Sequence, residues 1–520
     1  MKDALTFEEL LAAIQGALSA PALGAAATDR VAAVRADGAL HRQGRARDGC
    51  AMIQDLKPYP AYKDSGVPWV GAIPQHWSLQ RLDRLFLLRS EAPLEEDARV
   101  TGYLDGRVTL RSNVAGQKIK GVVKEAGWQR VHPGDFAISG MNAHLGGMGV
   151  SDSLGKCSPI YLVLKPKDGT NAQFVSHAVR HTAHSGALKA MVNTIRFNSA
   201  DLKREDRKLI WVWIPTCSEQ SAIVRFIGHA ERRIRRYIGA KKKLIALLNE
   251  QKQAIIHRAV TRGLDPNVRL KPSGVEWLGD VPEHWEVRPA QCFYHEVDER
   301  SATGAEELLS VSHITGVTPR SQKSIAMFMA SSYIGHKLCR PGDLVVNTMW
   351  AWMAALGVAR QAGIVSPAYA VYRPLRTSGL LSEYADLLLR TRPYVSEYVC
   401  RSTGIQSSRL RLYPEQFLRI KLVCPSQQEQ WTILAQVTVE TAASDRAIAG
   451  AQRAIDLLRE YRTRLIADVV TGKLDVREAA ARLPDETNEP ELLDEAEALA
   501  DDDDAADDAD LDNAVEEADA

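Results

Sequence analysis

The chain is written twice, and that restricts its fold to two copies of one module. The block SGVPWVGAIPQHW at 65–77 recurs as SGVEWLGDVPEHW at 273–285, an offset of 208 residues. The same offset relates HPGDFAIS (132–139) to RPGDLVVN (340–347), and GVSDSLGKCSPIYLVLKP (149–166) to GVARQAGIVSPAYAVYRP (357–374). Further along the offset is 210. There IPTCSEQ (214–220) answers CPSQQEQ (424–430), and KKKLIALLNEQKQAIIHRAVTRGLD (241–265) answers AQRAIDLLREYRTRLIADVVTGKLD (451–475). A register held over five separated blocks is a tandem duplication.

Each copy has two parts. The first mixes short apolar runs with turns, as a mixed α/β domain does. Phe136 to Ile138 and Leu344 to Val346 follow a Pro-Gly-Asp turn and read as strands, as do Tyr161 to Leu164 and Tyr369 to Tyr372. Thr170 to Met191 and Ser382 to Val399 read as helical. The second part is one long helix. Ile227, Ile234, Lys241, Leu248 and Ile255 recur every seven residues, with a second seam at Ile238, Ile245 and Lys252. The other copy shows Val437, Ser444, Ala451, Leu458 and Leu465, with Ile448, Ile455 and Arg462. Sustained heptads predict helices packed along their length, and Gly263 and Gly472 mark their ends. Each apolar stripe needs a partner. The economical one is the other copy, running antiparallel if the globular parts sit at opposite ends.

Charge is unevenly placed. The chain has 65 Lys and Arg against 65 Asp and Glu, but Pro484–Ala520 holds 18 of the acidic groups and none of the basic ones. Residues 1–483 therefore carry 65 basic groups against 47 acidic, a surplus that suits a polyanionic partner. The acidic stretch, with DDDDAADDAD, is expected to be disordered. Seven scattered cysteines without a CxxC pair fit a reducing compartment. With no bilayer-length apolar run and no signal core behind MKDALTFEE, a cytoplasmic protein without membrane contact is expected. Residues 1–51 are Ala-rich and have no counterpart, and Met52 is an alternative start.

Catalytic signatures are missing. GVSDSLGKC (149–157) is one residue too long for a phosphate loop, and Cys157 stands where the hydroxyl belongs. It reads as a turn before a strand. His177, His181 and His184 share a helical face, but their duplicates are Leu387, Thr391 and Tyr394, so no metal is expected. No GxGxxG loop follows a strand, and there is no GxSxG elbow, no Asn-Pro-Pro-aromatic tetrapeptide and no nuclease constellation. Binding is favoured over catalysis.

The Trp-bearing blocks opening each domain, the PTCSEQ (215–220) and PSQQEQ (425–430) blocks opening each helix, and the closing AVTRGLD (259–265) and VVTGKLD (469–475) occur in a telling order. Over roughly 57–476 this arrangement resembles the specificity subunit of a type I DNA restriction-modification enzyme. The resemblance implies two tandem target-recognition domains, each reading half of a split double-stranded DNA target. It implies two long helices forming an antiparallel coiled coil that spaces them. It also implies two modification (methyltransferase) subunits carrying S-adenosylmethionine chemistry on adenine, and restriction/translocase subunits using ATP and Mg. The specificity subunit itself has no catalytic, cofactor-binding or metal residues. The expected division is 1–51, an extension of uncertain status; 52–216, recognition domain 1; 217–263, spacer helix 1; 264–424, recognition domain 2; 425–472, spacer helix 2; and 473–520, an acidic tail.

Base contact is expected from polar groups in the stretches where the copies diverge, since Arg or Lys reads guanine and Asn or Gln reads adenine. In copy one these are Lys118, Lys120, Asn142, His144, Lys156 and Arg196; in copy two, Lys323, His336, Asn347, Arg360, Gln406 and Arg409. Trp69, Trp77, Trp277 and Trp285 are expected to pack, and the Glu219-Gln220 and Glu429-Gln430 pairs to favour the helix dipole, with a subunit contact as the alternative. The cluster Arg232, Arg233, Arg235, Arg236 and Lys241–Lys243 reads first as a solvated helix face, and otherwise as a phosphate track.

Overall fold

The computed structural model describes residues 56–114, 126–191, 202–322, 332–404 and 410–484, and the backbone of 194–196 and 199–200. Its contacts divide the chain into two compact units that do not follow chain order. Unit 1 joins residues up to Leu244 with those from Gly450, and unit 2 is Ile245–Ala449. The two long helices, Cys217–Arg262 and Gln427–Val470, are thus each shared between units.

Unit 1 is built on a four-stranded antiparallel sheet. Its strands run Phe86–Leu88, Tyr161–Pro166, Phe136–Ser139, Met148–Val150 across the sheet. Phe136, Ile138, Leu162 and Leu164 point into a core shared with Phe174, Val175, Ala178 and Val179 of helix Ala172–His184. Asn171 caps that helix by accepting a hydrogen bond from Phe174 N, 3.1 Å. The core also takes in Ile223, Phe226 and Ile227 from the start of one long helix and Leu465, Val469 and Val470 from the end of the other. Start meets end, so the two segments run antiparallel within this unit. Burying each such Leu, Ile or Val contributes about 1.5–3 kcal/mol.

Unit 2 repeats the sheet in the same order: Tyr294–Val297, Ala370–Pro374, Leu344–Val346, Leu356–Val358. Helices Ser382–Leu389 and Arg392–Arg401 cover it, where copy one has Ala172–His184 and Ala187–Met191. Here Ile256, Ala259 and Val260 join the core with Ile433 and Val437. Lys252 Nζ meets Asp445 Oδ1 at 2.6 Å, and Arg258 meets Glu440 at 3.9 Å, so these segments too are antiparallel.

Each helix end is satisfied from within its own unit. Trp213 Nε1 donates to the Val470 carbonyl, and the Tyr62 hydroxyl to that of Gly472 at 3.0 Å. In unit 2 the Tyr384 hydroxyl donates to the Val260 carbonyl at 2.8 Å. These carbonyls have no intrahelical partner and would be costly to bury bare. Gly263 and Gly472 then turn the chain out in the left-handed region, φ 75° and 74°.

Three expectations need correction. Residues 473–484 are not tail: Val476, Ala479, Ala480 and Leu483 are buried in the unit 1 core, and helix Arg477–Ala481 brings Arg477 over the Tyr59 ring. Residues 149–157 are more than a turn before a strand. They contribute strands Met148–Val150 and Gly155–Cys157, and glycine is needed at 149 because a Cβ there would lie 2.0 Å from the Gly106 carbonyl oxygen. Of the four tryptophans, Trp77 and Trp285 are fully buried and Trp277 packs edge-on to Tyr394, but Trp69 is 39% exposed. The first 51 residues and 485–520 lie outside the described residues.

Candidate nucleic-acid interface

The repeated frame is locked at the start of each long helix. Glu219 sits in a first helical turn, buried, and its carboxylate takes the Tyr59 hydroxyl at 2.6 Å and faces His76 Nε2 at 2.9 Å. Gln220 beside it accepts from Asn171 N and donates to the Pro215 carbonyl. In unit 2 Glu429 takes Trp285 Nε1 and faces His284 Nε2, both at 2.9 Å. Gln430 accepts from Leu381 N and donates to the carbonyls of Pro425 and Gly379. These pairs therefore do more than favour the dipole: they fasten helix to domain. Desolvation together with the hydrogen bond to Glu219 drives the Tyr59 hydroxyl pKa far up.

The Pro-Gly-Asp turns carry a second repeated lock. Asp135 receives Arg89 at two oxygens and His132 N, while Asp343 receives both Arg373 Nε and Nη2 at 3.0 Å and Arg340 N at 2.9 Å. Bidentate pairing of this kind fixes geometry as well as charge. Glu91 and Glu299, 208 apart, complete the two clusters against His132 and Arg340. The arginines come from different places, one just beyond an edge strand and the other on a central strand.

Between the third and fourth strands of each sheet the diverged sequences make the same device. A 3-10 turn, Ala143–Leu145 or Ala351–Met353, closes in the left-handed region at Gly146 (φ 92°) or Ala354 (φ 63°). Each leaves large apolar side chains bare: Met141 and Leu145 in copy one, and Trp350, 50% exposed, in copy two. Sequence reading missed Trp350. The 208-residue offset contained the signal, because it sets Trp350, four residues after RPGDLVV ends at Val346, where copy one has Asn142.

Among the described residues, those expected to touch bases differ in their surroundings. Asn142 is exposed on this turn, and Arg360 is exposed on the wall of a cavity of about 1120 Å³ in unit 2. His336 is half-buried, edge-on to Tyr333. Three serve the interior. Lys156 is buried and donates to the Glu95 carbonyl, and Asn347 is buried and accepts from Met349 N. His144 is buried, with its pKa lowered by desolvation and by nearby Lys189. Arg196 ends strand Thr194–Arg196 and its side chain is not described. Lys118, Lys120, Lys323, Gln406 and Arg409 lie outside the described residues.

The basic cluster on the first long helix is not one solvated face. Arg232 and Arg235 turn into a cleft of about 390 Å³ with Arg180, Arg225, Arg459 and Arg462, all in unit 1, whereas Arg236 and Lys243 are exposed. The three histidines are placed separately. His177 lines this cleft, His181 packs edge-on to Trp213, and His184 lies near Gly146. Among the described residues no group of three His, Cys, Asp or Glu could hold a metal, and no helix is long and apolar enough to cross a membrane.

No protein-family model matches the chain, and no curated protein does. Among solved structures, the chain is similar to one from a type I restriction-modification system described for its complex assembly and conformational transition. The TM-score is 0.50 at 16% identity, covering 76% of this chain and 98% of that one. It is also similar to the HsdS subunit from Thermoanaerobacter tengcongensis (18% identity, 77% and 98% covered, TM-score 0.35). A third similarity is to the S subunit of a type I system from M. genitalium (13% identity, 76% and 96% covered, TM-score 0.30). The chain therefore has a mixed α/β fold with long packed helices found in type I restriction-modification systems. Its repeated blocks resemble those of the specificity subunits in particular.

Proposed function

We propose that this chain is the specificity subunit of a type I restriction-modification complex. The α/β part of each unit is a target-recognition domain reading one half of a bipartite duplex target. The long helices form an antiparallel coiled coil that sets the unread gap. Methylation of adenine and restriction belong to partner subunits, two modification subunits and the restriction/translocase subunits, with S-adenosylmethionine, ATP and Mg bound there. The chain itself contributes no catalysis and works in the cytoplasm. What carries this reading is one module occurring twice, with the same sheet order and the same Glu-Gln lock, around divergent surface turns.

Physics favours such a division. Phosphate contacts supply affinity without sequence information, and base-edge contacts supply discrimination. Two readers on one rigid spacer gain through effective concentration. Base reading is assigned to Asn142 and Arg360 with the turns bearing Met141 and Trp350, and to the stretches holding Lys118, Lys120, Arg196, Lys323, Gln406 and Arg409. The test is to map methylated adenines in cells with and without this gene. Loss of one split motif is expected. An unchanged methylome in cells with active partner subunits would refute the reading, as would methyl transfer by the purified chain alone.

A further inference from the structure

The arginine-lined cleft of unit 1 lies beside the point where the acidic stretch of the chain begins. Its wall carries seven arginines, among them Arg180, Arg225, Arg232, Arg235, Arg459 and Arg462, against the carboxylates of Asp105, Asp152 and Glu231. On that wall Arg180 Nε and His177 Nδ1 are buried and find no hydrogen-bond partner among the described residues. Such groups are costly unless something satisfies them. At the lip, Arg225 donates to the backbone carbonyls of Leu483, 2.8 Å, and Pro484, 3.3 Å. The chain therefore passes the cleft at the point where its acidic stretch begins. Residues 485–520 hold 18 Asp and Glu and no Lys or Arg.

We propose that segment 485–520 docks its carboxylates into the arginine-lined cleft and acts there as an internal polyanion. Charge complementarity and attachment are the two grounds. Arginine forks match carboxylates bidentately. Attachment at the lip makes docking an event within one chain, which raises the effective concentration of the segment. Reach is no obstacle, since Arg225 already holds Pro484 at the lip and 36 residues follow it. The docked segment competes with any polyanion approaching that face, duplex DNA included. That consequence rests on the function proposed above, whereas docking does not.

The experiment uses the chain ended after Pro484 and a fluorescent peptide of residues 485–520, followed by anisotropy at about 50 mM salt, where screening is moderate. Saturable binding is expected, weakened about tenfold or more by R235Q/R462Q, whose melting profile is compared with the parent. A peptide carrying asparagine at all seven aspartates of 501–510 leaves the cleft untouched and should also bind about tenfold more weakly. Absence of binding, or equal binding by the parent and R235Q/R462Q, overturns the proposal. In a second arm duplex DNA is added. Peptide that stays bound against excess DNA would count against DNA reaching this face, not against docking.

Discussion

His284 Nε2 stands 2.9 Å from the Glu429 carboxylate, the same distance that separates His76 Nε2 from Glu219. The histidine is next to last in the first block of each domain and the glutamate lies in the first turn of each long helix, so the same contact fixes the entry of both helices. The second partner of the carboxylate differs. It is Trp285 Nε1 in unit 2 and the Tyr59 hydroxyl in unit 1, where Trp77 Nε1 is left without a partner among the described residues.

Removing the carboxylate should therefore cost stability in both units. Glu219→Ala bares a buried tyrosine hydroxyl and is expected to cost about 2–3 kcal/mol, with Glu429→Ala somewhat less because its site is more open. The midpoint of urea unfolding, followed by tryptophan fluorescence, reads this. Unchanged midpoints in both variants would show that the lock is dispensable.

Acid should loosen the turn clusters. Hydrogen bonding to Arg373 and the charges of Arg373 and Arg340 hold the Glu299 pKa below its ordinary 4.5, and His132 and Arg130 do the same for Glu91. A folded-state pKa below the unfolded one gives stability that is complete above about pH 4.5 and lost as pH falls through the lower folded value. Glu299→Gln should flatten that part of the acid limb of a melting-temperature profile. An acid limb identical to that of the parent would remove Glu299 from the account.

Gly472 is the most constrained helix exit. At φ 74° an added Cβ would fall 2.6 Å from Pro74 Cδ and 2.9 Å from Trp77. Gly472→Ala should cost clearly more than the ~1 kcal/mol of left-handed strain alone, whereas Gly66→Ala, at φ 70° with open space around it, should cost only about that. Thermal melting of the two variants side by side decides the matter, and equal shifts would contradict the crowding.

Modularity follows from the proposed function. Exchanging residues 57–216 for the equivalent domain of a relative should change one half of the methylated motif and leave the other intact. If both halves changed, the domains would not read independently.

Spacing can be tested with the heptads. Seven residues inserted into each long helix keep the seam in phase and add about 10 Å. That corresponds to about three base pairs of unread gap, and to a rotation of roughly 100° that the complex must absorb. A lengthened gap with both half-sites retained is the expected methylome. An active variant with the parent gap would end the ruler idea.

Much of the architecture was legible because it is periodic. Five repeated blocks announced two modules, and the seam at Ile227, Ile234 and Leu248 is buried as its spacing implies. Strands after Pro-Gly-Asp and the glycines at the helix ends were likewise local signals, fixed by turn chemistry and backbone freedom. Long-range partnership had no such trace. Nothing in the sequence pairs Asp135 with Arg89 but Asp343 with Arg373, because either arginine satisfies the same carboxylate once the sheet has formed. Burial, too, depends on neighbours in space. Lys156 and Asn347 looked like surface polar groups, yet each fills an internal hydrogen-bonding need, while Trp350 took the exposed place that polarity had suggested for its neighbours. The sequence by itself determined the repeat, the helices and the charge imbalance, since these depend on neighbours along the chain. Only the tertiary structure decided which polar side chains face solvent and that the arginines from three helices share one cleft, since those depend on neighbours in space.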